Sequence, residues 1–150
     1  MTVASPAIAV PATAYAGFWR RAVALFVDPF ILIAVTLPIR LVEPIAIITG
    51  ADIATVIGQA LGAAAIVGLI WWLYYAGFES SRWQATPGKR VIGIRVTDAA
   101  GARVSFARAS GRFFAKILSG LICGIGYLLA AFTARKQALH DLIAGTLVVR

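Results

Sequence analysis

An aspartate lies inside the first long apolar stretch of the chain, where a charged group is unusual. Asp28 follows Arg21 by seven residues, which corresponds to two helical turns on one face and about 10.5 Å. A carboxylate inside a membrane span costs roughly 2.5–3.5 kcal/mol, so it usually faces a partner or a wet cavity. Two interpretations stay open: a cation or proton site tuned by a nearby arginine, or a structural ion pair that fixes how the helices dock.

A second polar pair, His140-Asp141, lies near the end of the sequence. Histidine titrates near neutral pH, so the pair could relay protons. Alternatively, Asp141 accepts hydrogen bonds from Arg21 or from an arginine of the central loop and anchors the tail, and we favour this role. Glu79 and His140 are candidates to support the charged set.

Other catalytic and metal-binding patterns are not found in the sequence. It holds one histidine and one cysteine, Cys123, which we interpret as a small packing residue. Residues 86–90 resemble a phosphate loop superficially, but Trp83 and Arg90 occupy positions where that motif needs Gly and Ser/Thr. We therefore expect no enzyme activity, no metal and no cofactor.

The composition is that of a membrane protein. Hydrophobic residues make up 61% of the 150 residues and charged residues 13%, against roughly 45–50% and about 25% in soluble domains. The net charge of +8 accompanies long apolar runs, so anionic lipid headgroups are better expected partners than nucleic acid.

Two apolar stretches are long enough to cross a bilayer as helices, Ala22–Val42 and Thr55–Phe78. A short outer connection, residues 43–54, joins them. Small residues recur at every fourth position at the start of the second stretch (Ala54, Gly58, Gly62), a pattern that lets helices approach closely.

The central region, residues 79–112, is basic and predicts a β element on the cytoplasmic side. Val91–Thr97 and Ala102–Phe106 flank turn residues and predict a hairpin. Ser105 is a candidate helix cap. In the helix that follows, Arg108, Arg112 and Lys116 share one face, which either binds lipid headgroups or marks the membrane boundary.

The third apolar segment, Ile117–Phe132, is glycine-rich and short for a span, because 16 residues cover about 24 Å. If it crosses, Lys and Arg divide 10 inside to 4 outside; if it turns back, they divide 13 to 1. The positive-inside rule favours a re-entrant hairpin over a third span. Thr146–Arg150 also needs a strand partner, and Val91–Val96 is the expected one.

These elements define a helical membrane fold with two transmembrane helices, a re-entrant hairpin or third span, and a small cytoplasmic β element. The expected organisation is a disordered N-terminal tail over residues 1–16 and a membrane domain over residues 17–150. Both chain ends are expected on the cytoplasmic side of a bacterial inner membrane.

Three sequence blocks resemble the RDD family of small bacterial membrane proteins. They are Tyr15–Arg21 with Asp28, Thr86–Val96 with Asp98, and Gln137–Val149, which together cover most of residues 15–150 in order. The resemblance implies that Arg21, Asp28 and Asp141 are the residues for which the family is named. It also implies a link, for some members, to cation/proton exchange.

We expect a membrane protein that takes part in small-cation or proton transport as a homo-oligomer or with another membrane protein. Two alternatives stay open: a scaffold or accessory subunit whose Arg/Asp set is structural, and a protein that binds anionic lipid through Arg108, Arg112 and Lys116.

Overall fold

Two long apolar helices dominate the structure, a computed structural model that describes residues 15–121 and 125–150. Helix α1 is Phe18–Arg40, the short helix α2 is Val42–Ile48, and α3 is Ile53–Ser80. The most apolar 18-residue stretch has a mean hydropathy of 2.3 in α1–α2 and 2.1 in α3. Each of the two is apolar and long enough to cross a membrane. The two predicted spans are confirmed.

The connection between the spans is mostly helical, since α2 lies where the sequence predicted a short outer connection. Asp52 then caps α3: its carboxylate accepts the Thr55 backbone N–H at 2.9 Å and the Thr55 hydroxyl at 2.7 Å. An aspartate at this position satisfies donors that the first helical turn leaves unpaired. The cap explains why α3 begins two residues before the predicted span.

Most of the surface of the two spans is not covered by the other described residues. In the most apolar 18-residue stretch of each span, only 22% is buried in α1–α2 and 6% in α3. Ala54, Gly58 and Gly62 are all exposed, so the described chain leaves this face open. Such apolar surface is stable only in lipid or against another protein.

A small sheet forms on the side of the molecule where α1 begins and α3 ends, which we call the basic side. Strand β1 is Arg95–Asp98 and pairs antiparallel with β2, Thr146–Val149. The predicted partnership between the chain end and the central region is confirmed. Strand β1 lies further along the chain than the predicted strand, because helix α4, Pro87–Val91, includes the first residue of that predicted strand.

The predicted hairpin is much reduced. Only a single bridge joins Thr97 and Arg103, together with the Asp98 N–H donating to the Ala102 carbonyl at 2.9 Å. Thr86 caps α4 and Pro87 starts it, a pairing that favours a short helix, and its last residue, Val91, is the first residue of the predicted strand.

The third apolar segment is bent. Helix α5, Phe106–Leu121, and helix α6, Ile125–Phe132, meet at 103°. Gly126 lets them approach, since a Cβ there would lie 2.8 Å from the Ser119 Cβ. The break includes Cys123, which lies outside the described residues, as do residues 1–14 of the predicted tail.

Helix α7, Leu139–Ala144, returns the chain to the basic side, where β2 follows it directly. Both ends of the α5–α6 unit therefore lie beside one sheet, the arrangement that a re-entrant hairpin requires. The predicted Ser105 cap of α5 is confirmed by the Arg108 N–H, which donates to the Ser105 hydroxyl at 3.2 Å.

A compact core lies beneath this sheet. Its members are small or β-branched: Ala16, Ala24, Ala76, Ile94, Val96, Val104, Ala109 and Val148. Tyr15 and Ala16, placed in the predicted tail, run beside β2, with the Ala16 N–H donating to the Val148 carbonyl at 2.8 Å. The core packs α1, α3 and α5 together at one end and so positions their charged residues.

Candidate functional site

Six charged side chains form a buried ion-pair network on the basic side. They come from α1, α3, α4, α5 and α7, and are Arg21, Glu79, Lys89, Arg112, Lys116 and Asp141. Of these, the sequence predicted Arg21 and Asp141 as members of one charged set, with Glu79 in support.

Asp141 lies in the first turn of α7 and is fully buried. It accepts Arg112 Nη2 at 2.6 Å, Arg112 Nε at 2.8 Å and the Ala138 N–H at 3.1 Å, and it pairs with Arg21 Nη1. Burial alone would raise the pKa of Asp141, but Arg112 and Arg21 outweigh it and hold that pKa below its usual range. The predicted anchoring of the tail by Arg21 and a central-region arginine is confirmed.

Glu79 receives three cations at the end of α3 and is also fully buried. Lys89 Nζ lies 2.5 Å and Lys116 Nζ 3.1 Å from its Oε1, while Arg112 Nη1 lies 2.7 Å from Oε2. A buried carboxylate needs such partners to stay ionised. Glu79 is thus a central member of the network.

Arg112 connects the two carboxylates and is only 2% exposed. The predicted use of Arg112 and Lys116 as lipid-headgroup ligands is wrong, because both side chains point into the network. The buried face of α5 carries Ala109, Arg112, Ala115 and Ser119, whose small members let the helix pack closely around the guanidinium. Arg108 is the exposed member of the predicted stripe and lies 3.8 Å from Asp98.

Asp28 does not pair with Arg21, so that predicted coupling is wrong. Its carboxylate accepts the Tyr74 hydroxyl at 2.9 Å, the Gly88 N–H at 2.8 Å and the Thr86 hydroxyl at 2.5 Å. Arg21 instead reaches Asp141, and its Nε donates to the Ala16 carbonyl at 3.1 Å. Two helical turns left too wide a gap for the predicted pair.

The partners of Asp28 were not predicted as site residues. Thr86 is the N-cap of α4 and Gly88 lies in its first turn, so the carboxylate lies where a helix start offers unpaired N–H groups. Gly88 fits because it lacks a Cβ, which would lie 2.7 Å from Asp28 Oδ1 and 3.1 Å from the Ala24 carbonyl oxygen. The Thr86-Pro87-Gly88 sequence predicted a turn, but it did not indicate that this turn would bind the Asp28 carboxylate.

His140 is buried beside the network. Its Nδ1 lies 3.4 Å from the Ser119 hydroxyl, and its ring lies 5.1 Å from the Tyr127 ring. Burial lowers the pKa of His140 to about 2, against the opposing effect of Asp141. The neutral imidazole therefore supports the packing of α7, and the proposed proton relay through His140-Asp141 has no support at neutral pH.

A cavity of about 40 Å³ separates Asp28 from the network, which is room for about two or three water molecules. Its lining includes Arg21, Lys89, Arg112 and Lys116. Arg21 Nη2 has no hydrogen-bond partner among the described residues. Within the same residues no group of three or more His, Cys, Asp or Glu could hold a metal ion.

The fold and this site define a small membrane protein in which charged side chains join the ends of apolar helices. Residues 15–145 match the RDD family, and the chain belongs to that family. It is 35% identical over 147 residues to the uncharacterized protein YxaI of Bacillus subtilis (strain 168), covering 89% of this chain and 96% of that protein.

A second relative is the uncharacterized membrane protein YteJ of the same organism. It is 32% identical over 143 residues, covering 91% of this chain and 81% of that protein. No solved structure matches the chain.

Proposed function

We propose that this RDD family member is a non-transporting membrane scaffold or accessory subunit whose charged set holds its basic side together. The observation that carries the proposal is the position of Arg112, which is 2% exposed and binds both Glu79 and Asp141. One side chain thereby joins the end of α3 to the start of α7. Breaking such a buried pair typically costs several kcal/mol, which suits a permanent structural connection.

The carboxylates are poorly placed to carry a small cation. Both oxygens of each of Asp28, Glu79 and Asp141 already accept at least one hydrogen bond. A metal ion would compete with these donors for the same oxygens, and it would also meet the four Arg and Lys side chains that line the cavity. These features weigh against small-cation transport by a single chain.

Arg112→Met tests the connection. Glu79 and Asp141 would each lose a donor while remaining buried, so we expect destabilisation of about 3–5 kcal/mol. This would be measured as a lower midpoint of thermal unfolding and a lower yield of folded protein. Arg108→Met is the matched control, because Arg108 lies one turn earlier with 47% of its side chain exposed, and it should change stability by less than about 1 kcal/mol.

Proteoliposomes containing the purified wild-type protein test the absence of transport. We expect sodium, potassium and proton fluxes equal to those of empty vesicles. A flux that disappears in correctly folded Asp28→Asn would refute the scaffold proposal, as would an Arg112→Met protein as stable as the control.

Proton transfer is a second candidate, favoured by Lys89 at the cavity. Burial, with help from Arg112 and against the effect of Glu79, lowers the pKa of Lys89 to about 7. A group with this pKa exchanges protons at neutral pH. If the candidate is correct, proton flux occurs between pH 6 and 8 and stops in Lys89→Arg, which keeps a permanent charge beside Glu79. Equal flux in both proteins would reject it.

A further inference from the structure

An open basin on the basic side, separate from the ion-pair network, is surrounded by arginines. It has a volume of about 440 Å³, and Arg82, Arg90, Arg95 and Arg150 line it. None of its lining residues is acidic, and no ion pair within the described residues involves these arginines. Several arginines around one basin, without ion-pair partners among the described residues, favour a phosphate, which a guanidinium can bind through two hydrogen bonds at once.

An apolar groove of about 400 Å³ adjoins the basin at the end of α3. Leu73, Gly77 and Phe78 line it, and it shares Arg82 and Trp83 with the basin. Leu73 is 47% exposed, on a helix whose apolar surface needs lipid or protein contact. The groove therefore leads from a charged surface into the membrane-facing part of the molecule.

Trp83 stands at the boundary between the two. Its ring stacks on Phe78 with centroids 5.6 Å apart, and the Arg90 guanidinium lies 4.3 Å from the ring centroid on its face. Tryptophan is enriched at the level of lipid headgroups. Its contacts fix one basin arginine directly beside the apolar groove.

We propose that the basin and the groove together bind one anionic phospholipid. The headgroup phosphate lies between Arg82, Arg90 and Arg95, and an acyl chain follows Leu73, Gly77 and Phe78. The occupant is identified by charge complementarity, since every charged side chain that lines the basin is an arginine, and by the apolar groove that shares Arg82 and Trp83 with it. This site takes the place of the predicted surface formed by Arg108, Arg112 and Lys116.

The headgroup is tested by comparing binding of phosphatidylglycerol and phosphatidylcholine to the purified full-length protein by native mass spectrometry. In the triple variant Arg82→Gln/Arg90→Gln/Arg95→Gln, the preference for phosphatidylglycerol should fall about tenfold or more, because each basic residue near a lipid surface contributes appreciably. The control Arg20→Gln/Arg103→Gln/Arg135→Gln removes the same charge from exposed positions elsewhere and should keep the preference within about twofold of wild type. Equal losses in both variants would overturn the proposal.

The groove is tested by Gly77→Leu, which should fill it without disturbing the fold, because a Cβ at Gly77 meets nothing within 4 Å. Retention of phosphatidylglycerol should fall severalfold, whereas Gly68→Leu, equally unobstructed on another part of α3, should leave it unchanged. If Gly77→Leu has no effect and millimolar inorganic phosphate displaces the lipid, the basin is a phosphate site without an acyl groove and the proposal is wrong.

Discussion

Among the described residues, three neutral donors and no cation bind the Asp28 carboxylate. This arrangement places the negative charge of the Asp28 side chain at the N-terminus of α4, where unpaired backbone N–H groups stabilise an anion. The contact joins the first span to a segment 58–60 residues further along the chain. At the scale of single residues, it depends on the close approach that Gly88 permits.

Gly88→Ala should therefore destabilise the protein. The added methyl group would meet both the Asp28 carboxylate and the Ala24 carbonyl oxygen, and overpacking of this kind typically costs about 1–3 kcal/mol. The midpoint of thermal unfolding in detergent measures it. Gly111→Ala in α5 is the control, because its Cβ meets nothing within 4 Å and alanine favours a helix by about 1 kcal/mol. Equal stability of the two variants would contradict the assigned contact.

His140 makes the stability of the protein depend on pH. Its folded pKa of about 2 lies below the unfolded value of 6.5, so between these limits the unfolded chain binds the extra proton. Stability is then fully present above pH 6.5 and falls as the pH decreases, by up to about 1.4 kcal/mol per pH unit.

Unfolding midpoints of wild type and His140→Gln between pH 7.5 and 5 provide the test. The wild-type midpoint should decrease across this range, and the variant, which has no titrating group at this position, should show a flatter profile. Parallel profiles would mean that His140 is not the titrating group.

At the scale of elements, hydropathy and helical periodicity located the spans, but they did not identify the partners of the charges. Arg108, Arg112 and Lys116 share a face of α5 by their spacing, and spacing alone cannot tell which member is buried. That depends on Glu79 and Asp141, 33 and 29 residues away from Arg112. The same limit explains why the sequence offered both Asp28 and Asp141 as partners of Arg21, which binds Asp141, 120 residues away.

The exposed Gly58 and Gly62 of α3 leave room for a second chain, and we expect them to contact one. The variant Gly58→Leu/Gly62→Leu should fold, because a Cβ at either position meets nothing within 4 Å. A clash at a close helix contact costs about 1–3 kcal/mol, so crosslinked oligomer in membranes should decrease roughly fivefold or more. Gly68→Leu lies on another face of α3 and serves as the control. An unchanged oligomer fraction in the double variant would exclude this face as the contact.

At the scale of the whole molecule, the return of the chain to the basic side predicts where its end lies. In a Cys123→Ala background, cysteines at positions 48 and 150 should react with membrane-impermeant reagents from opposite sides. Ile48 is 83% exposed at the far end of α2, which makes it a suitable outer reference. Labelling of both positions from the same side would indicate a third crossing. The sequence favoured the same topology through its charge distribution, since lipid and translocation constraints act locally along the chain.

The pairing of Arg21 with Asp141 also has a consequence for biosynthesis. At about 5–20 residues per second, the 120 residues between them take roughly 6–24 seconds to translate. During that interval Arg21 has been synthesised without its partner Asp141, and Glu79 lacks Arg112 until residue 112 is made. A chain truncated before residue 112 would keep the contacts of Asp28 with Thr86 and Gly88 and the pair of Glu79 with Lys89. It would lack Arg112 and Asp141, so Arg21 would lose its partner and proteolytic quality control should recognise it more readily than the finished protein.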